Sequence, residues 1–202
     1  MDEIALHILD IVHNSIEAGA TTVELEIVEA SADDLLLVRI ADNGAGMTPE
    51  MVQQVLDPFS TSRSTRKVGL GLSLLSANAE ASNGRVEVKS QLGRGTVVTA
   101  SFQASHIDCP PLGNVHSTLL VIAVAEPQID LRYRHHVDGS VFEFSTGEIR
   151  EQLGDVPITN PSVLRWLDKF IARGLRRLER RRTRSAKSIV KGAEKYAKAH
   201  IA

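Results

Sequence analysis

Asp10 and Asn14 lie four residues apart, so on a helix they share one face. A carboxylate there can take a proton from a water within hydrogen-bond reach. An amide carbonyl is a hard oxygen ligand suited to Mg²⁺. A second group, Asp42-Asn43-Gly44-Ala45-Gly46-Met47, follows an apolar run. Its carboxylate can accept from an exocyclic amino group, and Gly44 and Gly46 would let a flat ring approach the backbone. Alone, the same Asn-Gly reads as a hairpin turn. A third group is Gly69-Leu70-Gly71-Leu72. Glycines at a helix start leave free N–H groups and a positive helix end, which favour phosphate. Arg63, Arg66 and Lys67 precede it and could add charge, or form a solvated basic loop. The fourth group is Gly93-Arg94-Gly95-Thr96, a turn that leads into a strand.

These groups need elements to hold them. Residues 2–18 read as a helix, with Asp2 as cap and Gly19 as stop. Ile4, Ile8, Ile11, Val12 and Ile16 form its core stripe. His7, Asp10, His13, Asn14 and Glu17 gather opposite, where a solvated face is the ordinary expectation. Residues 21–30 and 34–42 alternate as two strands of a hairpin. Thr48 and Pro49 open a short helix over 48–56. Residues 57–69 form a polar loop, 70–82 a helix, and 85–91 and 96–104 a second hairpin. Residues 105–117, with Pro110 and Pro111, read as a linker that closes a domain over 1–104. Beyond it, 117–126, 129–137 and 140–145 read as two or three more strands, with Asp138-Gly139 as a turn. Helices follow, the last opened by Asn160 and Pro161. A small α+β extension over 118–172 then precedes a basic helical tail over 173–202. His135 and His136 are adjacent on a strand, so they point to opposite faces and do not chelate one metal easily.

The bulk numbers bound the class. The chain has 202 residues, 43% apolar and 24% charged, as in an ordinary globular protein. Its longest apolar run, 119–125, is too short to span a bilayer. The acidic start is unlike a signal peptide. Cys109 is the only cysteine, which excludes an intramolecular disulfide and a cysteine zinc site. A cytoplasmic location is expected. The net charge of −2 divides unevenly: a formal −11 over 1–172 and +9 over 173–202. The tail is therefore expected to meet something anionic: nucleic acid or lipid, or, as the preferred expectation, an acidic surface with which a solvated, partly disordered helix pairs.

Taken in order, the segments "DIVHNSIEAGAT", "DNGAGM", "GLGLSLL" and "GRGT" resemble the boxes of the GHKL (Bergerat-fold) ATPase superfamily. The superfamily holds gyrase-type topoisomerases, heat-shock chaperones of the ninety-kilodalton class, histidine kinases and MutL proteins. The first box looks most like MutL; "DPFSTSR" with "VGLGLSLL" looks most like histidine kinases. The resemblance covers about residues 1–104. It implies a two-layer α/β sandwich, with a mixed, mostly antiparallel sheet and helices on one face. It also implies ATP as ligand, with Asn14 on Mg²⁺ and Asp42 reading the adenine amino group. Gly44, Gly46 and Met47 would lie along the base, and Thr96 near adenine. Gly69, Leu70, Gly71 and Leu72 would serve the phosphates, and Arg63 and Lys67 would belong to a mobile ATP lid. Hydrolytic members carry a Glu as general base at the position of Asp10. Asp is one methylene shorter, so hydrolysis and binding without hydrolysis both stay open.

The function expected is that of an ATP·Mg²⁺-binding, histidine-kinase-like protein. It would phosphorylate a partner in trans or use nucleotide state as a switch. Sensor kinases carry their acceptor His upstream of the ATP domain, so any acceptor is expected on another protein. A non-catalytic regulator of the anti-sigma type is the alternative from another class. MutL-like DNA work is a third, although 118–180 is short for a transducer domain and offers no identifiable Lys for the γ-phosphate.

Overall fold

The structure, a computed structural model, describes residues 3–56 and 71–200. Helix α1 (Ile4–Glu17) leads into strands β1 (Thr22–Ala30) and β2 (Leu35–Asp42). Helices α2 (Pro49–Leu56) and α3 (Gly71–Ala81) precede the hairpin of β3 (Arg85–Gln91) and β4 (Gly95–Gln103). Then come α4 (Val115–Ala125), β5 (Asp130–Val137), β6 (Ser140–Ser145), α5 (Thr146–Leu153) and α6 (Pro161–His200).

The six strands among the described residues form one sheet in the order β3-β4-β2-β1-β5-β6. Only the β1–β5 pair is parallel; the others are antiparallel. The strands of 118–172 therefore extend the sheet of the first half. Register puts the apolar residues on one face. Leu25 pairs with Ile40 and Ile27 with Val38, while Val98, Ala100, Phe102, Leu131 and Tyr133 join them. Against this face pack Ile8 and Val12 of α1, Leu75 and Ala79 of α3, Leu119 and Ile122 of α4, and Leu167 and Ile171 of α6. The mixed, mostly antiparallel sheet with helices on one face is the architecture expected. The other face carries a lattice of charges. Glu24 stands 3.7 Å from Arg39 and 3.6 Å from Arg132, Glu26 stands 3.5 Å from His136, and Arg134 stands 2.9 Å from Glu143. Such exposed pairs contribute little stability each. They keep this face solvated and leave the helical face to build the site.

Three local expectations are corrected. Residues 117–126 were expected as a strand, but 117–125 belong to α4 and Glu126 caps its end. A short apolar run is compatible with either element, and Asn114 decides it, accepting from Ser117 N at 3.0 Å. The cap position of α1 is Glu3, not Asp2, and no side chain caps it. Its free N–H groups are satisfied from afar: Ile4 N donates to Pro111 O at 3.0 Å and Ala5 N to Leu112 O at 2.9 Å. The proline-rich 105–117 segment thus caps the helix that bears Asp10 and Asn14. Finally, His7 is buried rather than solvated; its Nε2 lies 3.1 Å from Asn78 Nδ2 of α3.

His135 and His136 do take opposite faces. His135 is buried, with Nδ1 2.9 Å from Tyr133 Oη and Nε2 3.0 Å from Glu29 Oε1. Burial, and then the charge of Glu29, push the Tyr133 phenol far above its ordinary pKa. Tyr133 stays a neutral hydroxyl in the core.

Candidate functional site

Asp42 ends β2, half-buried, and three groups hold its carboxylate. Oδ1 accepts from Gly44 N at 2.9 Å and from Thr96 N at 3.3 Å; Oδ2 accepts from Ser15 Oγ at 3.0 Å. A carboxylate offers about four acceptor positions. Three are filled, and the fourth, on Oδ2, remains for a donor from outside. That is what an exocyclic amino group needs.

The loop beneath it is stitched together by hydrogen bonds. Asn43 Oδ1 accepts from Thr21 N and Thr22 N, each at 2.9 Å, and Asn43 Nδ2 donates to Thr21 Oγ1 at 2.8 Å. Ala45 N donates to Ala18 O and Gly93 N to Ala45 O, each at 2.8 Å. Ser90 Oγ accepts from Met47 N at 2.8 Å, donates to Gly95 O at 3.0 Å and lies 2.9 Å from Thr96 Oγ1. Two glycines are required here. Gly46 has φ +66° and Gly95 φ +99°. A Cβ on Gly46 would overlap the Gln91 carbonyl, and one on Gly95 the Asp42 carbonyl. The Asn-Gly of the loop is therefore not a hairpin tip. It packs against the β3–β4 turn.

Asp10 and Asn14 stand on α1 beside α3. The start of α3 reaches Asp10: a Cβ built on Gly71 would lie 3.0 Å from Asp10 Oδ2. The positive end of α3 thus meets a carboxylate. The side chains of exposed Asp10 and half-buried Asn14 form no hydrogen bond with any other described residue. Leu72, by contrast, is buried in the core. Arg63, Arg66, Lys67, Gly69 and Leu70 lie outside the described residues.

The structure brings Asp42, Gly44, Gly46, Met47 and Thr96 into one cluster, and Asp10, Asn14 and Gly71 into a second. Ser15, next to Asn14 in sequence and bonded to Asp42, joins the two. The sequence reading missed Ser15, Asn43 and Ser90. Of these, only Asn43, inside the loop motif, carried a signal.

Comparison with known proteins agrees with this geometry. Residues 2–106 match the family model described as histidine kinase-, DNA gyrase B-, and HSP90-like ATPase. The chain belongs to this family. Its ATPase domain is therefore the half that carries Asp10, Asn14, Asp42 and Thr96. The relatives include sporulation kinase D of Bacillus subtilis (strain 168), 30% identical over 104 residues, 52% of this chain and 20% of that protein. Sensor protein SrrB of Staphylococcus aureus (strain NCTC 8325 / PS 47) is 31% identical over 101 residues, 48% of this chain and 17% of its own. The match thus spans about a fifth of the length of such relatives. Among solved structures, the N-terminal domain of a DNA repair protein superposes with a TM-score of 0.50 at 15% identity, covering 72% of this chain and 53% of the other. That likeness concerns the fold. No helix among the described residues is long and apolar enough to cross a membrane.

Proposed function

We propose that this protein binds ATP with Mg²⁺ and acts on a protein partner, by phosphoryl transfer in trans or as a nucleotide-dependent switch. One observation carries the reading: the Asp42 carboxylate is held by Gly44, Thr96 and Ser15 with one acceptor position left, above a floor that only glycine can form. Adenine presents an amino donor at that position, whereas guanine presents a carbonyl, so Asp42 selects the base. Asn14 offers its carbonyl oxygen to Mg²⁺, which usually keeps several waters and binds through few protein ligands plus phosphates. When bound, the nucleotide supplies the transferable phosphoryl group and the metal neutralises its charge. Gly71 opens α3 toward the phosphate side. Asp10, with an exposed carboxylate, would take a proton from a water or an incoming hydroxyl.

Titration calorimetry with ATP and Mg²⁺ tests the reading. Saturable binding, weaker for GTP, is expected. No heat of binding at millimolar nucleotide would sink it. Labelled ATP with and without cell extract separates the modes: release without extract marks an ATPase, and label on another protein marks a kinase. Binding with neither marks a switch.

A further inference from the structure

Helix α6 is 40 residues long, about 60 Å at 1.5 Å per residue. Its first half is anchored by buried Leu167, Ile171 and Leu178, and Gly174 lies against the ring of Phe142. Arg173, Arg176, Arg177 and Arg180 are exposed beside this anchor and line a surface groove of about 440 Å³. The ion pairs of arginine and lysine among the described residues involve Arg39, Lys89, Arg132 and Arg134, and none of these four. The described acidic residues therefore offer these four arginines no ion-pair partner. Like charges at i,i+3 and i,i+4 destabilise a helix. Four of them within two turns disfavour this arrangement unless an anion sits among them.

The charge continues in sequence with a helical period. Basic residues stand at 173, 177, 180, 184, 187, 191, 195 and 198, one per turn. On the α6 backbone that row spans about 38 Å. A row of this length calls for a polyanion rather than a single phosphate. Interfacial membrane helices carry a broad apolar face. Between 179 and 200 the only large apolar residues are Ile189, Val190 and Tyr196, which is too few. Duplex nucleic acid, with one negative charge per ~1.7 Å of axis, offers phosphates along the whole length of such a row. Arginine forks bind phosphate oxygens without reading bases.

We infer that α6, from Arg173 onward, is a sequence-independent docking rail for the phosphate backbone of duplex nucleic acid. This holds whether or not the nucleotide site works as proposed above. The test uses the full chain and a labelled random-sequence DNA duplex two turns long, with fluorescence anisotropy followed across salt concentration. Binding is expected, with log K falling against log salt at a slope near −4 or steeper, about −0.9 per neutralised phosphate. The variant carrying Arg173→Gln, Arg176→Gln, Arg177→Gln and Arg180→Gln should lose about 3 of that slope and at least about tenfold in affinity. Its melting temperature should be no lower than that of the parent, and its ATP titration should match. No duplex binding at low salt would overturn the inference, as would binding that the four substitutions leave intact. Capture by phosphatidylserine vesicles without duplex binding would overturn it too, and would assign the helix to a membrane surface.

Discussion

Ser15 Oγ lies 3.0 Å from Asp42 Oδ2, joining a buried position on α1 to the end of β2 across 27 residues of sequence. The same hydroxyl lies 3.1 Å from Ile11 O within its own helix. Ser15 thus ties the orientation of the Asp42 carboxylate to the helix that carries Asp10 and Asn14.

Asp42→Asn replaces one acceptor oxygen with an NH₂ donor, while Gly44 N, Thr96 N and Ser15 Oγ need acceptors or compete for them. ATP affinity should fall by about 10- to 100-fold, since hydrogen bonds to a charged group contribute about 1.5–3 kcal/mol. Ser15→Ala should cost less, about 3- to 10-fold, by loosening the carboxylate. Titration calorimetry on both variants checks the order; equal losses would contradict it.

Gly46→Ala and Gly95→Ala force a Cβ against backbone carbonyls at positive φ. Each should lower stability by about 2 kcal/mol or more, a drop of roughly 4–8 °C in melting temperature for a chain of this size. Gly93 also has positive φ, +72°, but its Cβ would meet nothing within 4 Å. Gly93→Ala should therefore cost only about 1 kcal/mol. Thermal melts of the three variants measure the difference.

Asp10 and Asn14 should separate by readout. If the protein turns ATP over, Asp10→Ala should lower the rate by about 10²- to 10⁴-fold, the range of general base catalysis, with little change in nucleotide affinity. Asn14→Ala should weaken binding in the presence of Mg²⁺ and change it little in EDTA. Single-turnover assays and calorimetry with and without metal test the two claims.

Acid should loosen the β5–β6 end of the sheet through Asp130. Burial raises the pKa of this carboxyl, but bonds from Ser145 Oγ at 2.7 Å, Arg132 Nε at 2.8 Å and Gly147 N at 3.0 Å outweigh it. The folded pKa lies below the ordinary value of about 3.9. The stabilisation is thus complete above that value and lost as pH falls through the lower, folded one. Asp130→Asn should show a flatter stability profile below about pH 4, measured by urea melts against pH.

Much of this was legible because chemistry and period coincided. The α1 stripe and the two hairpins followed from spacing, and the grouping of Asp42, Gly44 and Gly46 in one loop from the ordered glycine boxes. What escaped reading depends on tertiary neighbours. Ser15 and Ser90 are ordinary hydroxyls until the fold sets Asp42 and Met47 beside them. His7 sits on a polar stripe, yet the packing of α3 and its Asn78 buries it. The run at 119–125 was compatible with either element, and only the cap at Asn114 makes it a helix. Asn160, by contrast, was readable as a cap because Pro161 follows it; its Oδ1 accepts from Ser162 N at 2.9 Å.

The parallel pairing of β1 with β5 also sets a timetable. Thr22 meets Asp130 and Glu29 meets Val137, so the partner of β1 is synthesised more than a hundred residues after it. At cellular translation speeds that delay is roughly 5–20 s. During it, the strand that follows the Asn14 helix keeps one edge of its backbone bare, and the cap from Pro111 and Leu112 also arrives late. Bare edges recruit other strands. The nascent N-terminal half would thus wait with an open strand edge until β5 emerges to close it.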